Sequence, residues 1–427
     1  MSAAHLEMAR KLVAEAHASP DGLAPVDVER FWADDRKACQ DPFASDCPQV
    51  PLGVLMSHEC VFAELGEPEN WHGLFHDEVY YLPLHRRYND LSERIVGRRL
   101  LRETPEDTAP PLPRVAALFD IFEASNEWHE AGMSYWLKQS ADTPDELAAL
   151  LDRVEARLEN LREFLLPPDW AEAKAKRLAA GGSMPRYRSQ RGPVTFATSV
   201  FGVENLLFLI MDQPELAARF RDLILRAMLE RARILDEEAG DTPETAPHGF
   251  AFLDDNCCLL NADMYEFFGW PVLKAIFDRY SPDPGDSRYQ HSDSDMGHLL
   301  PLFGKLNMTA VNFGPTLTVS EIREHLPGAV IHGQLAPFTF SRNEEERIIA
   351  EFLRDFEMAR AQRGLLFSTS GSINNGSRLT GMRLIMAAIQ RWGRYGGRPQ
   401  QARPDRAIEP AKRMGSACHL PAGETNV

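Results

Sequence analysis

Residues 308–333, MTAVNFGPTLTVSEIREHLPGAVIHG, decide the fold class. Two short apolar runs, 308–313 and 329–333, read as buried strands, and a helix is predicted over 318–326 between them. A strand, a helix and a strand in this rhythm make a parallel pair joined by a right-handed crossover. The rhythm continues outward. Toward the C-terminus come a helix over 343–362, a strand over 364–368 and a helix over 379–393. Toward the N-terminus come a helix over 295–305, a short strand closing at Tyr289 and Gln290 before His291, and a helix near 262–279. Before these stand a strand over 249–253, helices over 203–211 and 213–238, and a strand over 192–198. With 50–56 and 78–85 added as strands, about eight are predicted, the number a (β/α)8 TIM-type barrel needs. A doubly wound open sheet is the alternative. No G-x-G-x-x-G loop follows a strand and no G-x-x-x-x-G-K-[ST] loop is present, which argues against a nucleotide-binding sheet.

Three regions organise the chain: an N-terminal helical extension over 1–49, the barrel over 50–396 and a loosely held Pro-, Arg- and Gly-rich tail over 397–427. Residues 143–165 form an amphipathic helix, with Thr143 as N-cap and Leu147, Leu150, Leu151, Val154 and Leu158 as its stripe. Residues 103–113 read as a surface loop and 168–192 as a long exposed connection. Apolar residues are 44% and charged residues 26% of the 427, an ordinary globular balance that excludes a disordered chain or a fibrous rod. A net charge of −17 repels phosphate backbones, so no nucleic-acid partner is expected. No apolar run has the length of a membrane span and the N-terminus lacks a signal-type apolar segment, so a cytoplasmic protein without a membrane partner is expected. Cys39, Cys47, Cys60, Cys257, Cys258 and Cys418 are too few for a disulfide framework and are read as reduced thiols.

In a parallel barrel the reactive groups gather where the strands end. After 50–56 stand His58, Glu59 and Cys60; after 249–253 stand Asp254, Asp255, Asn256, Cys257 and Cys258. After the strand near 288 come His291, Asp293 and Asp295; Asn312 and Gln334 end or follow the next two, and Ser368 to Gly371 follow the last. His291 with Asp293, and Asp295 beside them, offers nitrogen and oxygen ligands to one cation. The plainer alternative is that Asp293 or Asp295 caps the next helix. Asp254 and Asp255 are adjacent carboxyls, of which Asp255 would be the proton donor, raised by its neighbour. Asn256, Asn312, Gln334, Ser370 and His58 are candidates for substrate binding. Loops are polar in any case, and buried thiols are common, so packing is the competing explanation for His58, Cys60, Cys257 and Cys258.

These strand-end segments resemble the uroporphyrinogen decarboxylase-like superfamily, from about Gly192 to Tyr395. GlyProValThrPheAla, PheGlyValGluAsn and AspGlnProGluLeu look like the family's "gPfT…G.E…dPe" segment. His291 to Gly297 falls where the family has "H.cG", IleHisGlyGlnLeuAlaPro (331–337) resembles "i.G.ldP", and LeuPheSerThrSerGlySer (366–372) resembles "i.s.g.gi". The resemblance implies a barrel and, in the branch closest in layout, methyl transfer between a small substrate or methyl-corrinoid and an acceptor. Zinc, and a corrinoid supplied by a partner protein, are the cofactors it implies; a second copy of the chain is a candidate partner. Two departures matter. The arginine-rich N-terminal segment that handles porphyrin carboxylates is absent, which argues against porphyrinogen as substrate. The family's zinc-binding cysteines are replaced, the first by Asp293 and the later one near Ser370, leaving a harder, oxygen-rich site at His291, Asp293 and Asp295. A decarboxylase or lyase acting on a non-porphyrin molecule, and a barrel that binds without catalysis, stay as alternatives.

Overall fold

The computed structural model describes residues 1–396, apart from 106 and 133; the tail expected over 397–427, with Cys418, lies outside the described residues. Within this range, 1–104 with 291–396 form one compact unit and 105–290 form another.

Eight strands are present among the described residues. β1 (Ser125–His129) and β2 (Ser134–Lys138) make an antiparallel hairpin, with Ser125 opposite Lys138 and His129 opposite Ser134. The other six are β3 (Ser189–Arg191), β4 (Phe250–Leu253), β5 (Arg288–Ser292), β6 (Ala310–Phe313), β7 (Val330–Leu335) and β8 (Leu365–Thr369). They form one sheet in strict sequence order, β3-β4-β5-β6-β7-β8, and β3 with β4, β6 with β7 and β7 with β8 pair in parallel. A doubly wound sheet reverses its strand order at a switch point; this order has none. The fold is α/β of the TIM-barrel type, as the alternation of strands and helices predicts.

Within the first unit, the core lies between β7, β8 and their helices. All of β8 is buried, and the helix Glu345–Ala359 turns Ile348, Ile349, Phe352 and Phe356 inward. Phe352 meets Phe367 of β8 edge-on at 5.0 Å. The N-terminal helix Ala3–Ala18 belongs to this unit and is tied to its C-terminal helices by Arg10–Glu346 and Arg391–Glu15 ion pairs. The exposed loop predicted over 103–113 has no regular structure at its described residues.

Several expectations need correction. The run 78–85 is not a strand but the start of the helix Glu78–Val96. Val79, Tyr80 and Tyr81 favour strands locally, yet Asp77 caps Val79 N and Tyr80 N, and buried Tyr81, Leu84, Tyr88, Ser92 and Ile95 keep a helical period over 19 residues. The run 192–198 lies almost wholly in the helix Pro193–Phe201; the strand is β3, just before it. Pro193 occupies the first helical turn, where its missing N–H costs nothing. The run 50–56 contributes one parallel bridge, Leu52 to Phe367, with Gly53 N donating to Phe367 O at 2.8 Å. The connection 168–192 holds the helix Trp170–Ala179 as well as β3. Tyr289 and Gln290 do not close β5, which continues through His291 to Ser292. The hairpin β1–β2 has no counterpart among the strands predicted from sequence. Cys47, Cys60, Cys257 and Cys258 are free thiols, whereas Cys39 is disulfide-bonded, against the expectation for it.

Among the described residues no single helix is long and apolar enough to cross a membrane; the helices Pro193–Phe201 and Val203–Asp212 pass that test only as a pair, bent by 104°.

Candidate active site

The carboxyl ends of β5, β6, β7 and β8 are joined in the first unit by one side chain. Asn312, on β6 and buried, donates from Nδ2 to His332 O at 2.6 Å and to Thr369 O at 2.9 Å. Two carbonyl partners fix which end of the amide is nitrogen. Its Oδ1 therefore accepts, from Gly371 N at 3.1 Å and from His291 Nδ1 at 2.8 Å. Since Oδ1 has no proton to give, Nδ1 of His291 carries one. Nε2 then lies 2.9 Å from Asp293 Oδ1, a distance at which the two acceptors need a proton between them, so the contact is that of an imidazolium with a carboxylate.

Asp293 is positioned from a third direction. Gly371 has φ +112, and a Cβ on it would lie 2.7 Å from Asp293 Oδ1, so only glycine lets β8's end approach this carboxylate. Gly314, after β6, leaves the same kind of room for Asp293 O, and its N donates to Ser292 O at 2.9 Å. Strand ends, two glycines and one amide thus hold the imidazole and the carboxylate of a His-x-Asp pair together.

Asp295 is exposed and accepts from the Thr316 hydroxyl at 3.3 Å; it does not join His291 and Asp293 in a three-ligand group. Gln334 is buried, and its Nε2 donates to Gly314 O at 3.1 Å and Leu317 O at 2.9 Å, while Oε1 has no protein partner among the described residues. It supports the loop that carries Gly314. Ser370 is fully buried and its hydroxyl donates to Leu335 O at 3.0 Å, stitching β8 to β7. His58 sits in a short 3-10 turn, edge-on to Phe75 at 4.6 Å, and its neighbours are Phe75, His85 and Glu59. Burial pushes the His58 imidazole down, against the pull of Glu59. His332 is buried in β7 and burial lowers it to about 4, so its ring is neutral.

In the second unit, Asp254 follows β4 and is fully buried. Its Oδ1 accepts from Thr195 N at 2.7 Å, capping the start of the helix Pro193–Phe201, and Oδ2 has no protein partner among the described residues. Burial raises this carboxyl to about 6, with Asp255 adding to the effect. Asp254 is thus a raised acid beside Asp255, the residue assigned the proton-donor role from sequence. Asp255 opens the turn Asp255–Leu259. Asn256 is engaged with the same helix: its N donates to Thr195 Oγ1 at 3.0 Å and its Nδ2 to Thr198 Oγ1 at 2.7 Å.

No family model matches the chain, and no curated protein matches it. A solved structure does. A methyltransferase from Methanosarcina mazei is similar with a TM-score of 0.53 over 86% of this chain and 99% of that one, at 15% identity. At that identity the likeness is one of fold.

The fit to a divalent metal is a matter of donors. His291 Nε2 and Asp293 Oδ1 are adjacent and both can ligate, and Asn312 orients the imidazole as outer-sphere partners of metal-bound histidines do. Neither is a thiolate, and Ser370 is committed to Leu335 O, so the donors suit a hard, exchangeable cation better than a tight structural zinc. Gly371 and Asn312 both stand at predicted strand ends, but neither the room that Gly371 leaves for Asp293 nor the role of Asn312 as a junction is read from the sequence. The signal for both was the polar residue or glycine at each strand end; which groups converge depends on register between strands far apart in the chain.

Proposed function

We propose that this chain is a methyltransferase of the uroporphyrinogen decarboxylase-like superfamily, acting on a small molecule at the carboxyl ends of its strands. The observation that carries this reading is the likeness in fold, over nearly all of both chains, to a methyltransferase. The order of segments from Gly192 to Tyr395 and the His291–Asp293–Asn312 arrangement support it.

The roles follow from the geometry. An acceptor thiol or hydroxyl gives up its proton as its heteroatom takes the methyl group. His291 Nε2 is the basic position, because Nδ1 is committed to Asn312. Asp293 Oδ1 then faces the imidazolium that forms and stabilises it. Asn312 and Gly371 fix the ring and the carboxylate in place. A divalent metal held by His291 Nε2 and Asp293, zinc by the resemblance, would take the place of that base and lower the pKa of the acceptor itself. A methyl-corrinoid carried by a partner protein is the proposed methyl donor; its cobalt–carbon bond would break as the new bond forms, with the electron pair left on the departing corrinoid.

Incubating the purified protein with methylcobalamin and a small thiol, and following the loss of the cobalt–carbon chromophore, tests the reading. His291→Ala should slow transfer by about 100-fold or more, the usual worth of a general base. Elemental analysis should find substoichiometric metal that falls further in the same variant. Full activity in His291→Ala would remove this site from the mechanism. Uroporphyrinogen should not be turned over; its conversion to coproporphyrinogen would overturn the assignment to the methyl-transfer branch.

A further inference from the structure

We propose that Arg191 is the anchor for a carboxylate on the small-molecule substrate, which makes that substrate a monoanionic organic acid or an acid-bearing acceptor. The inference deepens the methyl-transfer reading and rests on it only in calling the bound molecule a substrate; the anchor itself rests on the surroundings of Arg191.

Arg191 is the last residue of β3, paired in register with Leu253 at the end of β4. Strand ends of this polarity are where a barrel of this type presents its site. The side chains of β3 divide between two faces. Arg188, just before it, donates to both carboxylate oxygens of Asp236 on the helix Pro214–Glu238, and Gln190 is in register with Phe252, whose ring packs at 5.6 Å against Phe277 of the helix Trp270–Tyr280. Those residues face the helical layer. Alternation along the strand turns Arg191 to the opposite face.

The guanidinium there is half-buried, and its burial depresses its basicity. No side-chain hydrogen bond or ring contact fixes it among the described residues, and the charge of Asp255 acts on it. Two other arginines, Arg98 and Arg383, are lowered by burial in the same way, and both are occupied. Arg98 lies 3.7 Å over the Trp32 ring, and Arg383 donates to Ala24 O at 2.8 Å. A desolvated charge is normally paired, because leaving it alone in a low-dielectric place is costly. Arg191 is therefore built for a partner from outside the protein. A fork of parallel N–H donors matches a carboxylate in two hydrogen bonds. The neighbouring acids choose between anions. Asp254 and Asp255 follow β4 next to β3, and their field opposes a phosphate dianion about twice as strongly as a monoanion at equal distance.

Thermal unfolding of the full chain in sodium acetate, inorganic phosphate or chloride at constant ionic strength tests the anchor. Acetate should raise Tm in a saturable way, and phosphate should do no more than chloride. Arg191→Gln should abolish the acetate response, and Arg191→Lys, which keeps the charge but loses the fork, should weaken it by about tenfold. Circular dichroism checks that both variants fold. The proposal falls if acetate has no effect on the wild type, if Arg191→Gln responds like the wild type, or if phosphate stabilises in place of acetate. The outcomes separate from those of the methylcobalamin assay. Carboxylate binding that depends on Arg191, with no methyl transfer, would overturn the transferase reading and leave the anchor standing. Methyl transfer without Arg191-dependent binding would overturn the anchor alone.

Discussion

Asn312 spends one side-chain amide on four hydrogen bonds, to residues of β5, β7, β8 and the loop after β8. An amide in that position decides which ring nitrogen of His291 faces Asp293. Asn312→Ala should cost about 2–4 kcal/mol in urea unfolding, because buried donors and acceptors are left unpaired on several strands. Gly371→Ala should be as damaging for a different reason: φ is +112 and the new Cβ meets the Asp293 carboxylate. Stability unchanged in Asn312→Ala would show that these bonds do not hold the strand ends together. The residue types at this site were legible in the sequence, since His291, Asp293, Asn312, Gln334 and Ser370 all stood at predicted strand ends. Their division of labour was not. Gln334 and Ser370 bond to main-chain carbonyls of neighbouring loops and strands, and such partners have no signature in sequence.

At the level of elements, strands buried in a parallel sheet and helices with long apolar stripes are legible wherever the period is clear. β4, β6, β7 and β8 and the helices Pro214–Glu238 and Leu379–Trp392 are examples. The failures come from short β-prone runs. Tyr80, Tyr81 and their neighbours read as a strand, but the helix Glu78–Val96 is longer than the window that suggests one. If its cap specifies that helix, Asp77→Ala should lower stability by about 1 kcal/mol, checked by chemical denaturation. A change below about 0.2 kcal/mol would show that burial alone sets the helix start. The helix Pro193–Phe201 is misread for a related reason. Its first turn is capped by Asp254, more than fifty residues onward in the chain, and no local pattern reports such a cap.

Across the whole molecule, buried titratable groups set opposing pH dependences. His332 is lowered from 6.5 to about 4, so its contribution to stability is full above pH 6.5 and is lost as the pH falls through 4. The size is about 3 kcal/mol for a shift of that order. Asp254 is raised from 3.8 to about 6, so its contribution is full below 3.8 and is lost as the pH rises through 6. Two variants separate them in Tm measured from pH 4 to 7.5. His332→Gln should gain on the wild type as the pH is lowered from 6.5, and Asp254→Asn should gain as it is raised from 4. Parallel Tm curves for wild type and variant would show that the group is not desolvated as described.

The sequence by itself determined the class of the fold, because hydrophobic period and strand–helix alternation are local quantities that each segment carries alone. It also determined which residue types stand at the strand ends, since those follow from where each apolar run stops. Only the tertiary structure decided which of them meet. Register between β5, β6, β7 and β8 brings His291, Asp293, Asn312 and Gly371 together across nearly eighty residues of chain. Burial decided the rest: it neutralises His332, holds up Asp254 and lowers the basicity of Arg191. Desolvation depends on everything packed around a group, so it exists only once the chain has folded.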